Sequence, residues 1–172
     1  TSGFLTIGAN NGSSTFAGSI TGTGTLEKAG TGTLTFGSTI SFGGTLQLLG
    51  GTLALNGTSL TVDTLHITGN TVIDFGSSAA SILNATTVIV DAGVTLTVVN
   101  WTNAVDFLYA TNNPGATQLA RVAFTGYSAS STAWLPFDHQ ITPAPEPRLY
   151  GALLTAATLG ATGWIRRRRA AA

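Results

Sequence analysis

At 172 residues the chain is long enough for one domain with a real core plus appendages. Only 8% of its residues are charged, against roughly 25% in ordinary soluble domains, while glycine reaches 22 residues; this is the profile of a β-rich extracellular protein. The absence of cysteine excludes a disulfide framework, a thiolate metal site and a thiol nucleophile.

The formal net charge of zero hides an asymmetry. Ahead of Arg148, two basic side chains (Lys28, Arg121) stand against seven acidic ones (Glu27, Asp63, Asp74, Asp91, Asp106, Asp138, Glu146), a balance of −5. Such a body cannot neutralise many phosphates, so nucleic acid is not expected as a partner.

From Phe4 to Val99 the chain is a succession of short alternating segments. Thr33-Leu34-Thr35-Phe36, Thr45-Leu46-Gln47-Leu48, Thr52-Leu53-Ala54-Leu55, Thr64-Leu65-His66-Ile67-Thr68 and Thr95-Leu96-Thr97-Val98 place threonine and apolar residues on opposite faces. A period of two with β-branched polar partners predicts half-buried strands. Glycine and asparagine punctuate them at Gly22, Gly24, Gly30, Gly32, Gly37, Gly43-Gly44, Gly50-Gly51, Asn56-Gly57 and Gly69-Asn70, so the chain turns a corner every few residues.

The recurring unit is Gly-Thr-Leu, at Gly24-Thr25-Leu26, Gly32-Thr33-Leu34, Gly44-Thr45-Leu46 and Gly51-Thr52-Leu53, with Val94-Thr95-Leu96 as a later variant. Its irregular spacing makes it a degenerate repeat. Short strands joined by corners stack as rungs of a β-solenoid, in which each rung buries its leucines on its neighbour; an antiparallel β-sandwich is the competing architecture. The stretch from Gly18 to Phe36, with its Gly-x-Gly step, Leu26, Lys28 and Gly32-Thr33-Leu34-Thr35 strand, resembles the autotransporter-associated β-strand repeat. The resemblance covers about residues 12–60 and implies a right-handed parallel β-helix at or released from a bacterial surface.

Further along, Thr71-Val72-Ile73-Asp74-Phe75, Thr87-Val88-Ile89-Val90 and Thr95 to Val99 are expected as the last well-buried rungs, which bounds the solenoid region at residues 1–99. Residues 100–127 are expected to cap it: a strand at Asp106 to Tyr109, a loop around Asn112-Asn113-Pro114-Gly115, a helical turn near Ala116 to Ala120 and a strand at Val122 to Phe124. Residues 128–142 show no periodicity and are expected as a linker, with Trp134 and Phe137 docked on the cap.

Few residues of the body offer chemistry, and neither a catalytic set nor a metal site nor a cofactor is expected. His66 lies on the threonine face of a strand and reads as a solvent-facing side chain, far from His139 in sequence. Asp63, Asp74 and Asp91 end or interrupt strands, either lining a solenoid face or capping turns. Gly22-Thr23-Gly24 and Gly30-Thr31-Gly32 complete no Gly-x-Gly-x-x-Gly and open no helix. The Asn-x-Ser/Thr triplets at Asn11, Asn56, Asn84 and Asn100 arise readily in a threonine-rich chain. As a base acting on a sugar acid, only Lys28 and Arg121 are present outside the tail, and they are far apart in sequence.

The tail has a different logic. Pro145-Glu146-Pro147 and Arg148 precede an uncharged run from Leu149 to Ile165, including Leu153, Leu154, Leu159 and Trp164, and then Arg166-Arg167-Arg168-Arg169. At about 1.5 Å per residue this run spans roughly 25 Å as a helix, short for a bilayer core of about 30 Å, and the arginines are expected to stay cytoplasmic. Ala152, Ala156 and Gly160 form a small-residue face. The prolines flanking Glu146 stiffen the backbone and remove two N–H donors, leaving an extended handle with one carboxylate.

The three features in this order resemble the PEP-CTERM sorting signal over residues 143–172. The resemblance implies recognition of Pro145, Glu146 and Pro147 by an exosortase, a membrane protease/transpeptidase. It also implies an inner-membrane segment held by the Arg166 to Arg169 stop until processing, then cell-surface or extracellular location, in Gram-negative bacteria that make exopolysaccharide and biofilm. Ala144 stands where valine is frequent, and Arg148 where a small residue is usual. An anchored, exported body demands a signal peptide, so Thr1 is expected to lie inside a longer precursor. The expected function is a non-enzymatic surface or matrix protein, with exopolysaccharide as a partner in view; the alternative is a carbohydrate-binding or polysaccharide-cleaving β-helix delivered by the same signal.

Overall fold

The computed structural model describes residues 3–77, 79–128 and 132–143. In chain order the strands of its first part are β1 (Phe4–Ile7), β2 (Ser14–Phe16), β3 (Thr25–Lys28), β4 (Thr33–Phe36), β5 (Ile40–Leu48), β6 (Gly51–Ala54) and β7 (Ser59–Ile67). There follow β8 (Thr71–Asp74), β9 (Ile82–Val90), β10 (Leu96–Val99), β11 (Phe107–Ala110), the single turn α1 (Ala116–Leu119), β12 (Val122–Phe124), β13 (Thr132–Leu135) and β14 (Gln140–Pro143).

Odd-numbered strands from β1 to β11 line up in one sheet and even-numbered strands from β2 to β12 in the other. Each strand therefore pairs with the one two places on, and every such pairing is parallel. A chain that returns in parallel to the same sheet after crossing through the other winds as a solenoid, here of about five turns. An antiparallel sandwich would need hairpins between successive strands, and among the described residues antiparallel pairing is confined to β11–β14 and β13–β14.

The register explains the irregular Gly-Thr-Leu spacing. Thr25 pairs with Thr45 and Leu26 with Leu46 in one sheet, while Thr33 pairs with Thr52 and Leu34 with Leu53 in the other. Two units thus occur per turn, one in each sheet, and units in the same sheet recur every 19 to 20 residues. The glycine has a steric reason: a Cβ on Gly44 would lie 2.0 Å from the Gly24 carbonyl oxygen, and one on Gly32 would lie 2.3 Å from that of Gly12. Successive turns approach so closely there that a side chain is excluded.

Inside, leucines stack from turn to turn: Leu26, Leu46, Leu65 and Val88 are register neighbours and all are buried. Each such side chain contributes roughly 1.5–3 kcal/mol of burial, available only once the neighbouring rung is in place. Within β7, Val62 and Leu65 are both buried although three residues apart, with Asp63 and Thr64 facing outward. Since side chains alternate along a strand, both can face one core only if the strand turns between them. The same phase slip recurs in β9 between Ala85 and Val88. In β5 the corresponding corner is a bulge at Gly43-Gly44, where the register against β7 shifts.

The far end is closed by side chains as well as strands. β11 pairs only with Ile82 to Ala85 of β9, so the second half of β9 lacks a strand beneath it. Gln118 accepts the Val90 N–H through Oε1 at 2.7 Å, and Arg121 Nη1 donates to the Val90 carbonyl at 2.6 Å. Asn112 donates its Nδ2 to Thr87 Oγ1 at 3.0 Å and its backbone N–H to the Thr86 carbonyl. This end is built from β11, one residue further on than the strand expected at Asp106 to Tyr109, with α1 and β12, around Trp101, which makes edge-to-face contacts with Phe75 and Phe124.

One expectation is corrected. Residues 132–142, read as part of a linker, form with Pro143 the β13–β14 hairpin, which covers the free edge of β11. These four-residue strands carry little alternation of their own and form because an open edge offers them a ladder. Trp134 does dock, donating its indole N–H to the Ala110 carbonyl at 2.8 Å, whereas Phe137 is 97% exposed.

Candidate functional site

The basic groups of the body serve the backbone. Lys28 is 1% exposed, and its Nζ donates to the carbonyls of Ala29 (2.9 Å), Gly30 (3.1 Å) and Gly50 (3.2 Å), tying two successive corners together. Three carbonyl dipoles take the place of a counter-ion, and burial lowers its pKa from the ordinary lysine value. Arg121 is fixed at the cap, a different part of the fold. The pair considered for sugar-acid chemistry is therefore not brought together, and each side chain has backbone carbonyls as partners.

The acidic groups divide by position. Asp74 Oδ1 accepts from the Gly76 N–H (2.8 Å) and Asn100 Nδ2 (2.7 Å), an aspartate-capped corner. Asp106 is buried and takes the N–H groups of Ser81 (2.9 Å) and Thr102 (2.8 Å) on its two oxygens. Ser81 Oγ in turn accepts the Gly57 N–H at 2.8 Å, so one polar ladder links three successive corners. Asp63 is exposed on β7 at the corner opposite the Gly43-Gly44 bulge.

His66, expected as a solvent-facing side chain, stands 3.0 Å from Asp91 through Nε2, both side chains partly exposed. Spacing along the sequence could not reveal the pair, because it bridges adjacent turns 25 residues apart. Among the described residues no group of three or more His, Cys, Asp or Glu side chains converges as a metal site would require.

On the outer face of the cap, Asn84 of β9, Tyr109 of β11, Thr111 and the hairpin-turn residues Asp138 and His139 surround an open cleft of about 290 Å³. The Tyr109 ring lies parallel to that of Phe107, 5.5 Å apart with an interplanar angle of 2°. Sequence reading placed Phe107 and Tyr109 on a strand without assigning the face; their i, i+2 spacing puts both on one side, opposite buried Leu108.

The sorting residues Pro145, Glu146 and Pro147, the apolar run with Leu149, Leu153, Leu154, Leu159, Trp164 and Ile165, and the stop from Arg166 to Arg169 lie outside the described residues. Among the described residues no helix is long and apolar enough to cross a membrane. Pro143, the last described residue, is buried at the end of β14, so the triplet begins two positions beyond the folded cap. The chain matches no protein-family model, no curated protein and no solved structure in the comparisons made.

Proposed function

We propose that the protein is an exported, non-enzymatic surface or matrix component, a right-handed β-solenoid body delivered by a C-terminal sorting signal of the PEP-CTERM type. The observation that carries this reading is the fixed order of Pro145-Glu146-Pro147, an uncharged 17-residue run and four arginines, starting directly after the hairpin that closes the solenoid. Right-handed winding is the sense that parallel crossovers adopt in about 98% of cases.

Before processing, the run from Leu149 to Ile165 holds the chain in the inner membrane, with the body outside and Arg166 to Arg169 cytoplasmic. A segment of marginal length suits transient anchoring. An exosortase reads the stiff triplet, with Glu146 as its one carboxylate, and frees or transfers the body to the surface. A non-enzymatic role is supported by the body's chemistry: Lys28 and Arg121 are engaged with carbonyls, and the buried carboxylate Asp106 with backbone N–H groups.

The test is expression of the full precursor in an exosortase-bearing host, with Glu146→Ala and with Arg166 to Arg169 replaced by serine. Glu146→Ala is expected to leave the uncleaved chain in the membrane fraction, and loss of the arginine stop to change the mass or location of the mature body. Mature mass and location identical to those of the unaltered chain would refute the reading.

A further inference from the structure

The cleft on the cap gathers polar side chains from β9, β11 and the hairpin turn. Some outward-facing polar side chains pair across turns, as His66 with Asp91 and Asn112 with Thr87 do. Among the described residues, the side-chain amide of Asn84, the hydroxyls of Tyr109 and Thr111, the Asp138 carboxylate and the His139 ring nitrogens hold no hydrogen bond. Five uncommitted groups thus face one cleft. Its volume of about 290 Å³ lies just below the range of ligand pockets, roughly 300 to 1,000 Å³.

The walls are fixed by the backbone. Asn84 and Tyr109 are register partners on adjacent strands, so their side chains leave the sheet side by side. Opposite them, the hairpin turn is tied to β11 at Ala110: its N–H donates to the His139 carbonyl at 2.8 Å, and its carbonyl accepts the Trp134 indole. The His139 ring stacks on Trp134, 5.7 Å between centroids at 12°. His139 adopts φ +55°, a conformation non-glycine residues seldom take, and this turns the residue at the hairpin end toward β11.

We infer that this cleft binds a neutral carbohydrate chain, with a sugar ring against Tyr109 and its hydroxyls bonded to Asn84, Thr111, Asp138 and His139. A pyranose presents hydroxyls that both donate and accept along its edge and an apolar C–H face. The lining supplies the complement: a carboxylate acceptor, an amide and a hydroxyl that do both, and the aromatic ring of Tyr109. A sugar acid or a phosphate would meet Asp138 with no lysine or arginine in the lining, a charge mismatch. A lipid tail would leave the polar groups unpaired, and a divalent cation would find one carboxylate.

From Asn84 the outward register column continues through Thr61 to Ser41, all exposed, so the face stays open for a chain along the solenoid axis. The inference gives the proposed surface protein a ligand class, but it stands on the described residues and not on the sorting signal.

The test uses the full chain purified in a sugar-free detergent, titrated by calorimetry with cellohexaose, laminarihexaose and the acidic tetragalacturonate. Trp134 fluorescence gives a second readout, since its ring stacks on a cleft residue. At least one neutral oligosaccharide is expected to saturate the cleft, and Asp138→Ala and Asn84→Ala, both at exposed positions, are expected to weaken it at least tenfold without lowering the melting temperature. His66→Ala, away from the cleft, is expected to leave Kd unchanged. Failure of every neutral oligosaccharide to bind, tighter binding of tetragalacturonate, or equal Kd in the cleft variants and the unaltered chain would overturn the inference. Because no processing is needed, failure here is separate from failure of the sorting reading.

Discussion

Lys28 shows what a solenoid does with a charge it cannot avoid. The Lys position belongs to the repeat-like stretch from Gly18 to Phe36, on a strand whose sequence did not say how the amine would be used. Burial under the next turn instead directs its three protons to three carbonyls, two on its own corner and one on the following corner. Replacing it by methionine leaves those carbonyls without their donor, and Lys28→Met is expected to cost on the order of 2–3 kcal/mol in urea denaturation. The pH dependence has a definite sign. Burial lowers the folded-state pKa below the ordinary lysine value of 10.5, so in the window between the folded value and 10.5 the unfolded chain binds more protons, and stability rises with pH. The stability of the unaltered chain relative to Lys28→Met should therefore increase from neutral pH towards pH 10.5; a flat or falling difference would show that the carbonyls outweigh desolvation.

At the scale of elements, the cap is where sequence reading and structure agree in position and differ in mechanism. The turn at Ala116 to Ala120 and the strand at Val122 to Phe124 stand where expected, but their role depends on Gln118 and Arg121 reaching back to Val90. Nothing local marks that reach, since the partner lies 28 residues away for Gln118 and 31 for Arg121. Gln118→Ala removes the acceptor for the Val90 N–H and is expected to cost about 1–2 kcal/mol. Amide hydrogen exchange should show faster exchange at Val90 with Leu65 little changed, because opening is confined to the end of the stack. Uniform acceleration along β7 and β9 would contradict an end-capping role. The hairpin β13–β14 was illegible for a related reason: it has strand character only against the edge of β11.

In the whole molecule each turn contacts its neighbours and little else, so removing one complete turn should preserve the fold. Deleting residues 45–63 joins Gly44 to Thr64, which is the register partner of Thr45, and keeps both sheets in phase. That chain is expected to retain a β-type far-UV circular dichroism spectrum and a cooperative, less stable unfolding transition. Deleting residues 45–54, about half a turn, should abolish both, and equal tolerance of the two deletions would argue against turn-by-turn stacking. Alternation alone determined the strands, such as Thr33 to Phe36, and the glycines alone determined the corners, because both are properties of a few consecutive residues. Composition likewise determined the all-β class and the contrast between body and tail. Tertiary structure decided that the strands pair in parallel, that the unevenly spaced Gly-Thr-Leu units are one regular repeat divided between two sheets, and that His66 meets Asp91. It also gathered Asn84, Tyr109, Thr111, Asp138 and His139 into one cleft. These outcomes depend on which turn lies on which, and that contact exists only when residues 19 to 31 apart are brought together by winding.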